Sequence, residues 1–420
     1  MKRFIGAVTV VMACLVMAGG ALAFNYTDHV SVAPNGKGDL LVFPVYMATG
    51  GQYPYETQFK IVNTSTTHSV VAKVVVRSFA YSKELLDFLI YLSPTDMWIG
   101  KLQYGPSGPR MVSTDKSGPV LVPGQYLAAV TCTGTTGDKG VDSNQVGYVE
   151  VIEAWSANLG LKSPIDKIKI SEAYDASAAF TPYTGAQTVD MLSGSYRISV
   201  PVLGWEANDN AFTMKSYDNT AYLNPAVETL IGANARNTMQ EVEAGFNKDA
   251  IAMTFNNNSV DGGSIHLFTF PTKLSDAKNC SRVSMSGSAY FPVNGLVKYG
   301  KTVYDNEENS ITNVFSPSPT APDMVDEVMS LAAPTDFSVG WVLYRFGKTN
   351  TAGFTKSLPA LPLNYAGTPV IPTVVDFVGG DNSGLSIRTG AWTDSAVTDV
   401  PGGTVLRQYQ YSSEFVTSTN

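Results

Sequence analysis

The chain is short of charge, of histidine and of cysteine. Only 15% of its 420 residues are Asp, Glu, Lys or Arg, against about 25% in an ordinary soluble domain. The three histidines, His29, His68 and His266, stand far apart, and no Cys-x-x-Cys or His-x-x-x-His spacing exists to fix a transition metal. They supply few bases for a Ser-His-Asp triad, and there is no G-x-S-x-G elbow. Lys and Arg number 28 against 36 Asp and Glu, giving a net charge of −8, which disfavours a nucleic-acid partner. Beyond the N-terminal segment no apolar run reaches the ~18 residues of a spanning helix, so no transmembrane segment is expected in the mature chain. These absences predict a protein that is not an enzyme and carries no cofactor. Disorder is excluded from the other side, because 44% of residues are hydrophobic, enough to bury a sizeable core.

The N-terminus carries the clearest targeting signal. Lys2 and Arg3 precede an apolar run from Phe4 to Met17, and Ala21-Leu22-Ala23 has the small-x-small pattern of a cleavage site. Residues 1–23 read as a secretory signal peptide cut between Ala23 and Phe24; the rival readings are an uncleaved membrane anchor and a lipobox at Val11-Met12-Ala13-Cys14. Cleavage at Ala23 removes two basic residues and no acidic one, leaving the exported chain at −10. The expected location is extracellular or on the cell surface, with the periplasm as the alternative. Cys14 leaves with the signal, and an oxidising compartment would pair the remaining Cys132 and Cys280 in a disulfide. Closing so long a loop contributes about 4–5 kcal/mol in the chain-entropy account. The alternative is two separate buried thiols.

Apolar runs and period-two patterns dominate the rest. Leu40–Tyr46, Thr57–Asn63 and Val70–Arg77 read as strands, and the polar cluster Asn63–His68 between the last two predicts a hairpin. Further strands follow at Leu86–Leu92, Tyr126–Cys132, Val146–Trp155 and Tyr196–Leu203, with Gly/Pro punctuation between several of them. They resume at Ile251–Phe255 and continue to Thr404–Tyr411. Many short strands separated by turns predict a mainly β chain, a β-sandwich of immunoglobulin-like or jelly-roll-like kind. One stretch near 224–247 breaks the pattern. Asn224 before Pro225, and the capping box Thr238-Met239-Gln240-Glu241, predict short helices at 225–232 and 239–247. The expected division is the signal at 1–23, a β-sandwich domain at 24–220, and a second β-rich domain with the helical insert at 221–420. The alternative is one continuous large sandwich.

Three motif-like stretches have bland readings. Gly295-Leu296-Val297-Lys298-Tyr299-Gly300-Lys301-Thr302 satisfies the written P-loop pattern, but the apolar loop and the following Val303-Tyr304 read as a strand with a solvent-facing lysine. Asp142, Asn144, Gly147, Glu150 and Glu153 match some positions of a calcium loop, yet Val146 stands where a ligand belongs and Val149–Ile152 reads as strand. The turns at 305–309 and 379–384 are oxygen-rich, so structural calcium stays open at those places. The five tryptophans, Trp98, Trp155, Trp205, Trp341 and Trp392, would suit stacking on sugars, but in a β-sandwich they read first as core.

Two stretches carry a likeness. Ser82-Lys83-Glu84-Leu85-Leu86-Asp87-Phe88-Leu89-Ile90-Tyr91-Leu92-Ser93-Pro94-Thr95-Asp96-Met97-Trp98 is one. The other runs from Phe270-Pro271-Thr272-Lys273 through Cys280 and Val303–Asn309 to Phe315-Ser316-Pro317-Ser318-Pro319. In these segments the chain resembles a group of functionally uncharacterised exported β-rich proteins of Gram-negative bacteria. The resemblance implies export and β-structure and brings no catalytic residues with it. The function expected is that of a non-enzymatic structural or adhesive protein of the cell surface or extracellular matrix. Its partner would be itself or another surface protein, including self-assembly through strand edges. The alternative is an exported protein that binds or cleaves glycans.

Overall fold

The computed structural model describes residues 31–119, 121–129, 144–160, 167–178, 190–215, 239–248, 250–257, 262–273, 275–276, 281–284, 297, 299–307, 309–315, 326–332, 334, 336–346, 356–358, 361–365, 368–378, 384–389, 392–399 and 404–410. The signal segment with Ala23 and Phe24, His29, both Cys132 and Cys280, and the helix expected at 225–232 lie outside these residues.

The described chain is mainly β, in antiparallel sheets. Twelve strands precede residue 216: β1 (Ser31–Val32), β2 (Leu40–Met47), β3 (Glu56–Asn63), β4 (Ser69–Ser78), β5 (Glu84–Leu92), β6 (Met97–Gly105), β7 (Gly108–Ser113), β8 (Leu121–Tyr126), β9 (Val146–Ala157), β10 (Leu192–Val200), β11 (Trp205–Asn210) and β12 (Phe212–Lys215). They form two six-stranded sheets, ordered β1-β12-β2-β9-β4-β5 and β11-β10-β3-β6-β7-β8. The sheets pack face to face as a β-sandwich. Phe43 of the first sheet meets Phe59 and Tyr196 of the second edge-on, at ring-centroid distances of 5.1 and 5.9 Å, and Trp98 is fully buried beside them.

The hairpin expected at 57–77 does not form. β3 and β4 belong to different sheets, so the polar cluster between them arches over the sandwich end. Asn63 holds the arch: its Nδ2 donates to the carbonyls of His68 (2.8 Å) and Ser93 (2.9 Å), while its Oδ1 accepts from the Ser65 amide (3.0 Å). Period two fixes which face of a strand is apolar, and two strands facing one core satisfy it from opposite sheets as well as from one.

Two helices cover the first sheet. α1 (Lys167–Ala178) was not foreseen, because among its described side chains Ile170 and Tyr174 are the only fully buried apolar ones, too few for a visible stripe. They press on Trp155 and Val71, with Tyr174 edge-on to Trp155 at 6.2 Å. α2 (Met239–Phe246) matches the second expected helix, and its Val242 and Phe246 are buried against Leu40, Val42, Tyr148 and Phe212.

The later strands form an eight-stranded sheet that includes Ala250–Asn256, Tyr299–Asp305, Ser310–Phe315 and Val339–Phe346. A four-stranded sheet is built from Gly262–Thr269, Val328–Ala332, Ile371–Val378 and Gly384–Thr389. Between them lies a second core of Phe268, Tyr299, Tyr344 and Phe346. The four-stranded sheet also touches the first sandwich. Leu267 and Val375 join its apolar core, Thr269 Oγ1 donates to the Pro44 carbonyl at 2.6 Å, and the amides of Glu327 and Val328 both donate to the Phe79 carbonyl.

As a result the first sheet is buried on both faces. Every residue of β4 is buried, as is β9 between its end residues. Its outward face carries charges in pairs, Arg77 Nε to Glu150 Oε2 at 3.2 Å with neither side chain exposed, and Lys73 Nζ to Asp87 Oδ2 at 2.8 Å. Tyr148 donates to Ser82 Oγ at 2.7 Å, and burial, reinforced by the Glu150 charge, pushes its phenol well above the usual range.

Candidate functional site: the open face of the second sheet

The second sheet behaves differently. In β3, β6, β7 and β10 buried residues alternate with part-exposed ones over most of their length, the pattern of a sheet with one face on the core and one on water. The outward positions line up in rows across the strands. Asn208, Arg197, Gln58, Lys101 and Val112 are successive cross-strand partners from β11 to β7, and Asn210, Ser195, Lys60 and Ile99 form the neighbouring row. With strands about 4.8 Å apart, the five-residue row spans roughly 19 Å.

Charge is concentrated on this face. Four cations, Lys60, Lys101, Arg110 and Arg197, stand against two carboxylates within the strands, Glu56 and Glu206, and a third, Asp115, at the rim. Lys101 pairs with Glu56 and Arg197 with Glu206, each at 3.0 Å and each partly exposed, so these pairs steady the side chains without neutralising the face. Lys60 is exposed and makes no ion pair among the described residues. Arg110 lies over the Tyr126 ring, 5.9 Å from its centroid, and its Nε has no hydrogen-bond partner among the described residues. At the rim Asp115 accepts the backbone amides of Ile99 (3.1 Å) and Ser117 (2.8 Å). Beyond Arg110, at the same end of the sandwich, Tyr53, Tyr104 and Tyr126 are 50%, 42% and 39% exposed.

The sites considered from sequence resolve otherwise. Tyr299–Asp305 is a strand paired on both sides, so the P-loop-like segment ends in a sheet. Lys301 is half-buried rather than solvent-facing, and burial lowers its ammonium while Asp336 opposes the shift. Gly147, Glu150 and Glu153 of the calcium-like pattern lie in β9, with Glu150 facing Arg77. The Asp305 carboxylate accepts the amides of Glu307 and Asn309 and the Asn309 side chain, each at 2.8 Å, which depresses its pKa and accounts for the turn. Among the described residues no cluster of His, Cys, Asp or Glu is arranged to hold a metal.

His68 lies in the arch and contacts Thr67 Oγ1 at 2.9 Å. His266 is fully buried between Tyr344 OH (2.8 Å) and the Thr254 carbonyl (2.9 Å). A carbonyl only accepts, so Nε2 carries the proton and Nδ1 accepts from the tyrosine. Trp98 and Trp155 are core, Trp205 packs partly on it, and Trp341 is half-buried and stacked on Tyr304 at 4.0 Å and 9°. The side chain of Trp392 is outside the description.

Sequence reasoning missed one polar constellation. Lys167, at the start of α1, meets Asp96 and lies 3.3 Å from Ser93 Oγ, and the hydroxyls of Ser93 and Ser117 both donate to Asp96 Oδ2. Burial pulls the Lys167 ammonium down to about 8. Asp96 also accepts the Ser93 amide at 3.2 Å, so the group ties α1 to the β5–β6 turn.

No protein-family model matches the chain, and no curated protein matches it. Among solved structures, a Pleurotus ostreatus lectin in its apo form aligns over 91% of this chain and 92% of its own at 7% identity, with a TM-score of 0.15, a likeness too low to carry any argument.

Proposed function

We propose that this chain is a non-enzymatic exported protein of the cell surface or extracellular matrix, structural or adhesive in role, that holds its neighbour through the open face of the second sheet. The observation that carries the reading is the contrast between the sheets: the chain covers the outward face of the first with its own helices and strands and leaves the second to solvent. Strand edges, the other contact surface of a β protein, are blunted at β8, β5 and β1 of this sandwich, and the fourth, β11, lies against Gly384–Thr389. β8 contains Pro123, which has no N–H. β5 donates from Tyr91 to the Ser117 carbonyl and accepts at Leu85 from Ala128, and β1 has only two residues. Self-assembly by edge pairing is better served by Ser310–Phe315, which pairs with Tyr299–Asp305 and with no second strand among the described residues.

The test is fractionation of the cells that make the protein, with surface attachment compared between the native chain and a Lys60→Glu/Arg197→Glu variant. The reading predicts recovery in the surface or matrix fraction and release of the variant. A soluble periplasmic monomer, or a variant that attaches normally, would overturn it.

A further inference from the structure

The chemistry of the open face defines a narrower class of partner. We infer that the face binds an acidic polysaccharide, a pyranose chain bearing carboxylates, laid across the strands along the Asn208–Lys101 row. This rests on the adhesive reading and goes one step past it.

Three observations support it. First, the sign of the face is opposite to that of the molecule: four cations against two carboxylates within the strands and a third, Asp115, at the rim, in a chain of net charge −8. An anionic polymer is drawn to this face and repelled elsewhere. Second, the cations are spaced and separated by neutral hydrogen-bonding groups. Arg197 and Lys101 flank Gln58 in one row, roughly 10 Å apart across two strand spacings, with the free Lys60 in the adjoining row. Carboxylates on alternate sugars of an extended chain meet cations at such a step, while the amide of Gln58 and the hydroxyl of Ser195 suit sugar hydroxyls between them. Third, the rows are mostly polar, and their aliphatic members Ile99 and Val112 are only part-exposed. A protein partner is anchored by desolvated aromatic or aliphatic residues at the middle of its interface, but here the exposed tyrosines lie at one end, where Tyr126 stacks with Arg110. A single-stranded nucleic acid would need stacking surfaces along the track, and tyrosines confined to one end do not supply them.

The full-length exported chain is titrated with polygalacturonate, with the same polymer after methyl esterification of its carboxylates, and with double-stranded DNA, at low and at physiological salt. The expected result is binding of polygalacturonate that weakens at least tenfold as salt rises, no binding of the esterified polymer, and weaker binding of DNA. The Lys60→Glu/Arg197→Glu variant should lose at least tenfold in affinity with an unchanged unfolding midpoint. Equal binding of the esterified polymer, DNA binding as tight as that of polygalacturonate, or full affinity in the variant would overturn the inference. If native attachment depends on the face but polygalacturonate does not bind, the polysaccharide assignment fails and the adhesive reading stands. If polygalacturonate binds but attachment ignores the face, the adhesive reading fails.

Discussion

The two sheets of the first sandwich share one core and differ in what lies on their other faces. β4 of the first sheet, Ser-Val-Val-Ala-Lys-Val-Val-Val-Arg-Ser, is buried along its whole length, whereas β3 of the second, Glu-Thr-Gln-Phe-Lys-Ile-Val-Asn, alternates. A sheet covered on both faces must satisfy every charge it holds from within the protein, and Arg77 and Lys73 are met by Glu150 and Asp87. A sheet with one wet face keeps its charges at no such cost and has them available to a partner. The difference separates charges that hold the fold together from charges that are free to act.

Substitutions should divide along the same line. The largest effect is expected at Arg77→Ala, which leaves Glu150 buried without its cation and should cost about 3–5 kcal/mol in denaturant unfolding; a loss below 1 kcal/mol would show that the first sheet is not sealed.

Glu153 is next. Burial raises its carboxyl from 4.5 to about 8, so between those pH values the folded state holds a proton that the unfolded chain has lost. Stability should therefore fall as pH rises through that window and level off above it, by on the order of a few kcal/mol. Glu153→Gln should flatten the profile, and an unchanged slope in the variant would place the titration elsewhere.

A smaller loss, about 1–3 kcal/mol, is expected for Gly100→Ala on the core side of β6, where a Cβ would overlap the Trp98 ring. Lys60→Ser, on the open side of β3, should stay within about 0.5 kcal/mol of the native chain. A large destabilisation there would mean that the face is covered.

Much of this contrast was legible in the sequence. The alternation of Thr57–Asn63 marks a half-exposed strand, and the valine-rich run Val70–Val76, interrupted only by Ala72 and Lys73, is what a strand covered on both faces carries. The capping box at Thr238 located α2. Two features were not legible. The arch at Asn63–His68 read as a hairpin because the choice of sheet is decided by distant partners such as the Ser93 carbonyl. α1 escaped because a helix held by Ile170, Tyr174 and the Lys167 contact has no long apolar stripe. The open face escaped as a site for a related reason. Lys60, Lys101, Arg110 and Arg197 come from four strands, and only the register of β10, β3, β6 and β7 brings them together.

The central claim is that the outward face of the second sheet is where this protein meets its neighbour. It is tested most directly by amine labelling of lysines in the protein as it stands on the cells that make it and in the free purified chain. The account predicts that Lys60 and Lys101 react in the free chain and are shielded in place, while buried Lys73 is unreactive in both. Equal labelling of Lys60 in the two states would contradict it.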